Sequence, residues 1–446
     1  MTNVIFSFDT EDYINEKAAD GILRTANILK NEGIKGCFQV VGMLAEALVE
    51  WNRTDIINEL RDNHEVDYHS NRHSHHPTIN EYTDISDYRL ARRIFFDDEL
   101  AGIHKVKTIF GVDNFGSACP PGRSTSYVAR YAYGDMGFPI YTGDQIYDAK
   151  KQRPVYNANV ISLRYLETEN MLFDATKEEI EAFVEDLSKK DTAVILHHPQ
   201  MAYITTFCDL ENFLGNNTPR ELWKITKMRP EEERERFYEN FKYLISLIKN
   251  DPRFLITTYK ELSEKLYDEK REITKETLQV ISEALKESFF PVTLPDSYCI
   301  SDIFHACREL LLGKDKHICG KVYGFLSEPY SVKEETTVTK EELIMAAASI
   351  YEDEFLPEYI FANDKKIGPA DFIFAALEIL GGKDSYTIAP GLPKQINLDE
   401  FPELRDLTYK NSWIHAKTLE DNFLSERLRL QAWTIRLPKG TDRFIF

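Results

Sequence analysis

The chain has 446 residues, a length that suggests two domains rather than a single core. Hydrophobic residues make up 43% of it and aromatic residues 12%, so it can bury cores and is not a disordered chain. Lys and Arg total 54 against 74 Asp and Glu, which gives a formal net charge of -20. This balance argues against nucleic acid as the main partner, because phosphate binding requires a basic face.

Residues 1–8 and the distribution of apolar residues indicate in which cellular compartment the protein is expected. Residues 1–8 lack the basic and apolar regions of a secretory signal, and no apolar run approaches the roughly 18 residues that a membrane span requires. The six cysteines form no CxxC pair and are expected to be reduced thiols. The sequence therefore favours a cytoplasmic protein without a membrane span.

The first 200 residues alternate between predicted strands and predicted helices. A buried strand at 4–8 ends at the carboxylates of Asp9, Glu11 and Asp12, and a helix over 20–32 follows. The later strands that we expect lie at 36–41, 65–67, 138–141, 160–163 and 193–196. Alternation of this kind indicates an α/β fold with a parallel sheet, either doubly wound or closed as a barrel, with helices outside.

A domain boundary is predicted near residue 268. Residues 200–235 interrupt the alternation with a long polar and aromatic connection, which is typical of a functional insertion. An amphipathic helix over 237–248, a last strand and a last helix follow, and the chain then enters a run of charged residues. We therefore predict one domain over 1–268 and a second over 269–446.

The second domain contains an internal repeat. One copy runs over 273–313 and the other over 338–381, and each reads as a helix, a Leu-Pro loop, a short extended piece and a second helix. A two-fold repeat without a cluster of catalytic residue types is typical of a structural or binding module. We expect a mainly helical domain that binds glycans or forms a homo-oligomer.

Histidines are concentrated in one segment of the first domain. Those that lie within thirteen residues of one another are His64, His69, His73, His75 and His76. His69 and His73 are four residues apart, so one helical turn would place both on the same face. Two neutral imidazoles and one carboxylate form a three-ligand metal site with positions open for water, and Glu11 or Asp12 would supply the carboxylate.

The ordinary alternative to a metal site is that these histidines are simply exposed in a loop. A single pair of histidines would favour that alternative. The density here favours a site, because His197 and His198 close another apolar strand and acidic residues close the first. In a parallel sheet the carboxyl ends of all strands lie at one edge, where ligands bind. Asp9, His69 and His198 each follow an apolar strand and are therefore expected to meet there.

Four segments resemble the ordered motifs of the polysaccharide deacetylase superfamily, the NodB-homology group of carbohydrate esterase family 4. They are FSFDTED at 6–12, HEVDYHSNRH at 64–73, CPPG at 119–122 and VILHH at 194–198. The resemblance covers about residues 1–268. It implies a distorted (β/α) barrel and hydrolysis of an N-acyl group on a sugar.

The resemblance also implies roles for individual residues. Asp9 matches the catalytic base, and His69 and His73 match the metal ligands. His198 matches the late catalytic histidine, which serves as the acid, with His197 as the alternative at the same strand end. The implied cofactor is a divalent metal, zinc first, with cobalt and nickel as alternatives.

The identity of the carboxylate ligand stays open between Glu11 and Asp12. In the family it usually follows the base directly, where this chain has Thr10, so Glu11 or Asp12 would supply it. Alternation along a strand places Glu11 on the same side as Asp9, whereas a turn beginning after Asp9 would favour Asp12.

Two positions depart from the family's pattern. The arginine expected before the Pro-x-Gly segment falls at Ala118 here, and Arg123 is its candidate replacement. The tryptophan of the fourth motif is not evident, and Asp144 occupies that region. A backbone N–H near Pro121 and Gly122 would hold the oxyanion. The predicted substrate-binding residues are Pro120, Pro121, Gly122, Arg123, Asp144 and His197.

The sequence therefore predicts a metal-dependent hydrolase that removes an N-acetyl or other N-acyl group from a sugar or glycan. Metal-activated water would be the nucleophile, Asp9 the base and His198 the acid. Two alternatives stay open: an allantoinase-like hydrolase of a non-sugar carbon–nitrogen bond, and a glycan-binding or assembly protein whose barrel has lost catalysis. Residues 273–385 are also similar to pseudomurein-binding repeats in their Leu-Pro loop and Ala-rich helix.

Overall fold

The structure is a computed structural model, and it describes residues 1–143, 146–148, 150–266, 270–351, 354–409 and 413–441. Asp144 and the side chain of Arg123, both predicted to bind substrate, lie outside the described part of the chain. Contacts divide the chain into two units. The first comprises Met1–Pro154, Val160–Tyr267 and Thr408–Leu424, and the second comprises Val155–Asn159, Asp268–Leu407 and Ser425–Phe446. Each unit thus draws on separate parts of the chain, whereas the predicted domains are contiguous.

Most of the described strands are short, and β1 is the longest. In chain order they are β1 (Thr2–Thr10), β2 (Cys37–Val40), β3 (Glu65–Tyr68), β4 (Ser117–Ala118), β5 (Ile140–Thr142), β6 (Val155–Asn157), β7 (Val160–Leu163), β8 (Tyr165–Glu167), β9 (Thr192–His197), β10 (Phe254–Ile256), β11 (Glu272–Thr274), β12 (Lys316–Ile318), β13 (Thr336–Thr339), β14 (Ile360–Ala362), β15 (Lys365–Ile367) and β16 (Ser385–Ile388).

Helices connect most of these strands. In chain order they are α1 (Asp20–Asn31), α2 (Gly42–Glu50), α3 (Thr54–Asn63), α4 (Ile79–Thr83), α5 (Tyr88–Phe110), α6 (Tyr127–Asp135), α7 (Glu169–Asp174), α8 (Lys177–Leu187), α9 (Cys208–Phe213), α10 (Glu231–Lys249), α11 (Tyr259–Leu266), α12 (Lys275–Glu287), α13 (Ile300–Leu311), α14 (Lys340–Ser349), α15 (Pro369–Leu380), α16 (Pro402–Arg405) and α17 (Leu424–Leu430). Short 3-10 turns lie at Glu16–Ala19, Pro121–Arg123, Pro199–Ala202, Arg220–Leu222, Leu398–Glu400 and Gln431–Thr434. None of the helices in the described ranges is both long and apolar enough to cross a membrane.

The first unit is built on a parallel sheet. Across it the strands follow the order β7-β5-β4-β3-β2-β1-β9-β8, and β10 pairs with residues 2–4 of β1. Every one of these pairings is parallel, as connections through helices require. The fold is the distorted α/β barrel that the sequence predicts, and the prediction of its class is confirmed.

The inner layer of this sheet is polar and hydrogen-bonded. The Ser7 hydroxyl donates to the Gln39 Oε1 at 3.1 Å, and the Tyr259 hydroxyl donates to the Ser7 Oγ at 2.9 Å. The Gln39 Nε2 donates in turn to the Ser117 Oγ at 2.9 Å and to the Thr142 Oγ1 at 3.0 Å. Buried polar atoms that are paired in this way carry little desolvation cost, so the interior tolerates them.

The outer face of β1 is apolar. Phe6 and Phe8 alternate with Ser7 along the strand and point to the helical layer, where their rings lie 6.3 and 6.2 Å from that of Phe241 in α10. The same alternation carries Asp9 to the inner side, next in line after Ser7. The sequence pattern of β1 therefore decides which of its side chains can reach a site at the barrel's open end.

The second unit contains the predicted repeat. The first copy consists of β11, α12, α13 and β12, and the second of β13, α14, the β14–β15 hairpin, α15 and β16. In each copy the strand before the first helix pairs antiparallel with the strand after the second. The sequence predicts the helices but not these sheets, because three or four residues give too little alternation to identify a strand. A glycan-binding or dimerising role for this unit stays a prediction.

Candidate functional site

Glu11, just beyond the end of β1, lies between two histidine rings. Its Oε2 is 2.9 Å from the Nε2 of His73 and 3.2 Å from the Nε2 of His69. These three side chains are buried, and their donor atoms lie within 4.8 Å of one another. The structure thus brings together both histidines and the carboxylate that strand alternation favours.

The opposite ring nitrogens of the two histidines are held by the protein. The Nδ1–H of His69 donates to the carbonyl oxygen of Cys119 at 3.0 Å. The Nδ1 of His73 lies 2.5 Å from the Oδ2 of Asp209, which also accepts a hydrogen bond from the Ser74 hydroxyl. Such contacts fix the tautomer that presents Nε2, as is usual around metal-bound histidines.

The segment that carries these histidines is a loop rather than the helical turn that their spacing suggests. Ser70 and His73 have positive φ angles of 63° and 52°, which reverse the chain within four residues. The N-terminus of α2 binds this loop, because the N–H groups of Gly42 and Met43 donate to the carbonyl oxygens of Ser70 and Asn71. The rings converge through loop geometry, with ring centroids 5.0 Å apart.

Asp12, the second candidate carboxylate, faces another direction. Its Oδ1 accepts hydrogen bonds from the backbone N–H groups of Ile14 and Asn15 at 2.9 and 3.0 Å. Burial raises the pKa of Asp12 to about 7. The carboxylate organises the turn after β1 and does not join the group around Glu11.

His198 lies on the other side of the site. Its Nε2 is 3.7 Å from the Oδ2 of Asp9 and 3.9 Å from the Oε2 of Glu11. Glu169, at the start of α7, accepts hydrogen bonds from the backbone N–H of His198 at 2.9 Å and from its Nδ1. Burial lowers the pKa of His198, but Glu11 and Glu169 outweigh it and raise that pKa to about 10.

His197 points away from the site, although it was the alternative to His198 and a predicted substrate contact. It pairs in register with Phe8, so it shares the outer face of the sheet. Its ring packs against those of Phe8, Phe237 and Phe241 at 4.8, 5.2 and 4.9 Å. Burial lowers the pKa of His197 to about 3, which keeps it neutral. Its place in the apolar layer removes it from contact with substrate.

Asp9 occupies the centre of the site. Burial raises the pKa of Asp9 above its ordinary value, despite the opposing effect of His69 and His198. Within the described residues its Oδ1 has no hydrogen-bond partner, and its Oδ2 lies 3.8 Å from the Cys119 Sγ. Burial raises the pKa of the Cys119 thiol, so a neutral thiol lies near Asp9, next to Ala118, the position where the resemblance would place an arginine. A cation bound between Glu11 and the histidines would favour the ionised form of Asp9.

These groups open onto a cavity of about 410 Å³. Its walls are formed by Asp9, Glu11, His69, His73, Gly122, Tyr165, Glu167, Glu169, Asn170, His198, Met201, Phe207 and Trp413. Of the segment predicted to bind the oxyanion, only Gly122 reaches the wall. Pro120 and Pro121 are buried behind it and have no N–H to donate, so a backbone donor there would have to come from the next residues.

Trp413 belongs to a late segment that folds onto the barrel within the first unit. The His415 Nε2 lies 2.7 Å from the Ser124 Oγ, and the Tyr409 hydroxyl donates to the carbonyl oxygen of Thr125. Gly122, with a φ of 53°, packs so closely on this segment that a Cβ would lie 2.9 Å from the Ile414 Cδ1. No sequence pattern indicates this wall, because aperiodic segments reveal their contacts only in three dimensions.

The donor set suits a divalent cation. One carboxylate oxygen and two imidazole nitrogens converge, and each imidazole is oriented by a hydrogen bond at its other nitrogen. Burial alone would raise the pKa of Glu11, but His73 and His198 hold it well below its usual range, so the carboxylate is ionised. Asp209 and Glu169, which orient His73 and His198, are the contributors that sequence reasoning missed.

No protein-family model and no curated protein sequence matches the chain. Solved structures that resemble it include a polysaccharide deacetylase from Mycobacterium smegmatis, with 14% identity, a TM-score of 0.40 and coverage of 59% of this chain and 89% of that one. A 4-alpha-glucanotransferase from Thermococcus litoralis has 12% identity and a TM-score of 0.43 over 59% of this chain and 40% of that chain. Puue allantoinase has 13% identity and a TM-score of 0.39 over 59% of this chain and 89% of that chain. Polysaccharide deacetylases are thus among the solved structures to which this chain is similar.

Proposed function

We propose that the chain is a metal-dependent hydrolase that removes an N-acetyl or other N-acyl group from a sugar or glycan. The observation that carries the proposal is that the Glu11 Oε2 lies within 3.2 Å of the Nε2 atoms of His69 and His73, with Asp9 and His198 beside them. A carboxylate–imidazole donor set, a second carboxylate and a third histidine around one cavity support a metal site, a base and an acid, which amide hydrolysis requires.

Each polar residue would have a separate task. Glu11, His69 and His73 would hold the cation, which when bound would polarise the acyl oxygen and lower the pKa of water towards roughly 7. Asp9 would take a proton from the attacking water at its Oδ1, which has no hydrogen-bond partner among the described residues. His198 would give a proton to the departing nitrogen from its Nε2, since amine expulsion requires an acid. Glu169 would keep that ring aligned.

Zinc is the proposed ion, with cobalt and nickel as alternatives. A site with two imidazoles and a carboxylate and with open positions suits zinc in hydrolytic proteins, and the same nitrogen-rich donors also accept the other two ions. Metal analysis of the purified protein, followed by reloading with each ion, would identify the ion that supports activity.

A sugar suits the walls of the cavity. Trp413, Phe207 and Tyr165 offer apolar surface, while Glu167 and Asn170 offer hydrogen-bonding groups. A sugar ring has both kinds of surface, with apolar C–H faces and a rim of hydroxyl groups. We therefore propose an N-acylated sugar or oligosaccharide rather than a wholly apolar amide.

The test is release of acetate from N-acetylglucosamine oligomers by the zinc-loaded chain, with cyclic amides as the competing substrates. We expect acetate release that disappears in Asp9→Asn, while that variant keeps its zinc. Turnover of the cyclic amides alone would favour the allantoinase-like alternative. Binding of zinc and oligosaccharide without turnover of either substrate would favour a glycan-binding protein, the alternative that the missing arginine beside Asp9 supports.

A further inference from the structure

The second unit contains another group of metal-ligating side chains, in the first copy of the repeat. Asp302 lies in the first turn of α13, His317 is the central residue of β12, and Cys319 follows that strand. Each contributes one donor atom, and the three atoms lie within 4.8 Å of one another. None of these residues belongs to the barrel site.

Two of the donors are buried without a partner. The Oδ1 of Asp302, a residue with 0% exposure, has no hydrogen bond within the described ranges, and neither has the Nε2 of His317. The Nδ1 of His317 lies 3.0 Å from the Oε2 of Glu309, so the ring is oriented by a carboxylate and presents its other nitrogen. A buried histidine with an unpartnered Nε2 and a carboxylate at its other nitrogen is typical of a metal ligand.

Comparison of the two copies of the repeat shows which of these three residues has a structural role. In the second copy Asp371 occupies the place of Asp302, and its Oδ2 accepts the N–H of Gly368 at 2.7 Å. Asp302 likewise accepts the N–H of Cys299 at 3.2 Å. The Oδ1 of Asp371 also has no hydrogen bond within the described residues, so the unpartnered Oδ1 of Asp302 recurs in the copy that lacks the histidine and the cysteine. The aspartate is therefore a helix cap in both copies and by itself indicates no ligand.

The histidine and the cysteine occur in the first copy alone. The sheet register pairs Ile273 with His317 and Val338 with Tyr386, so Tyr386 stands where the first copy has His317. Two residues further along, Ile388 stands where the first copy has Cys319. The fold of the repeat is therefore compatible with residues that bind no metal at both positions.

Arg271 pairs with one of the two carboxylate oxygens of Asp302. Its Nη1 lies 2.9 Å from the Oδ2 of Asp302 and donates to the carbonyl oxygen of Ser297 at 2.9 Å. The Oδ1 of Asp302 stays uncommitted.

We propose that Asp302, His317 and Cys319 bind a zinc ion, with Glu309 as the positioning residue for His317. One sulfur, one nitrogen and one oxygen donor suit tetrahedral zinc, and a water would complete the coordination. On binding, the Cys319 thiol releases its proton to solvent and its sulfur bonds to the metal. The ion links the first turn of α13 to the end of β12, so it stabilises the second unit.

The experiment uses the full chain with His69→Ala and His73→Ala, which removes the barrel site. Cobalt is the optical probe, because only a thiolate ligand gives sulfur-to-cobalt charge-transfer absorption. We expect that absorption, and about one zinc per chain after dialysis, in keeping with strong binding by such donor sets. Adding His317→Tyr and Cys319→Ile, which copies the second repeat, should abolish both signals.

Cys307→Ala is the matched control. Cys307 is a buried thiol of the same α13, outside the proposed ligand set, and the second repeat has Ala376 at its place, so the variant should keep both signals. Glu309→Gln should weaken zinc binding by about 10- to 100-fold. If the His317→Tyr and Cys319→Ile chain fails to fold by circular dichroism, Cys319→Ser replaces it and should lose the charge-transfer band.

Three results would overturn the proposal. They are the absence of the charge-transfer band in the chain without the barrel site, retention of zinc after the ligands are replaced, and loss of zinc in Cys307→Ala. The outcome is independent of the barrel's activity, because the barrel ligands are absent from every variant used.

Discussion

Glu169 accepts hydrogen bonds from both the backbone N–H and the ring Nδ1 of His198, so the ring presents its Nε2 towards Asp9. One carboxylate therefore fixes the position and the tautomer of the proposed acid, and together with Glu11 it raises the pKa of the ring. Neither residue lies among the metal ligands, which allows this contact to be tested apart from metal binding.

Glu169→Gln should lower turnover by about 10- to 100-fold while the zinc content stays unchanged, because a misaligned acid loses part of the roughly 100- to 10,000-fold that acid–base catalysis contributes. Steady-state kinetics and metal analysis of the same sample would measure both quantities. Asp174→Asn, which changes an exposed carboxylate of the same α7 outside the cavity wall and leaves Glu169 on His198, is the control. Equal losses in the two variants would contradict the assigned role.

Glu11→Gln and Asp12→Asn should differ in metal affinity. Glu11 lies within 3.2 Å of both histidines, whereas Asp12 caps the turn at Ile14 and Asn15. We expect Glu11→Gln to lose zinc binding and Asp12→Asn to keep it, with a loss of stability of about 1 kcal/mol from the weakened turn. Isothermal titration calorimetry of the metal-free variants with zinc would measure both affinities. Weaker zinc binding by Asp12→Asn than by Glu11→Gln would assign the carboxylate ligand to Asp12.

Asp209→Asn should weaken zinc binding by about 10- to 100-fold, because the carboxylate orients His73 and increases the basicity of its ring. Competition with a chromophoric chelator would measure the change in affinity. Asp9→Asn serves as the comparison, since it alters a carboxylate of the same cavity that lies outside the ligand set and should affect turnover far more than affinity.

Glu99 should make the folded state less stable as the pH rises. Burial, followed by the charge of Asp98, raises the pKa of Glu99 from 4.5 to about 7, although the hydroxyls of Tyr68 and Tyr133 donate to it. The folded protein then binds this proton more tightly than the unfolded chain does. The resulting stability is present in full below about pH 4.5 and is lost as the pH rises through 7, by ~3 kcal/mol in all.

Glu99→Gln removes the titrating carboxyl group, so the free energy of unfolding should change less as the pH rises from 4.5 to 8. Urea unfolding between pH 4.5 and 8, in the background of His69→Ala and His73→Ala so that metal binding does not contribute, would measure the difference between the two chains. A difference that does not change with pH would show that Glu99 is already ionised in the folded state.

The sequence predicts those features that local periodicity determines. Apolar alternation along β1 and the order of strands and helices are enough to predict the α/β class, which is confirmed. They also place Asp9 and Glu11 at the end of the first strand, and the structure brings Glu11 beside His69 and His73. For the choice between His197 and His198, the sequence was insufficient, because it depends on the register of β9 against β1.

The residues that the sequence missed are placed by packing between distant segments. Asp209 reaches His73 from the long connection after β9, and Trp413 reaches the cavity from a segment almost 300 residues beyond Gly122. No spacing relates such pairs along the chain. The spacing of His69 and His73 alone could not show how their rings meet, since the N-terminus of α2 holds that segment as a loop rather than as a helical turn.

The late segment that carries Trp413 has a consequence for biosynthesis. Once translation has passed residue 268, every proposed ligand of the barrel site has been made, but this wall of the cavity has not. A nascent chain could therefore bind the metal ion before the cavity wall is complete. Specific binding of the sugar would require the late segment that carries Trp413. A fragment cut after the barrel should retain metal yet discriminate poorly among ligands.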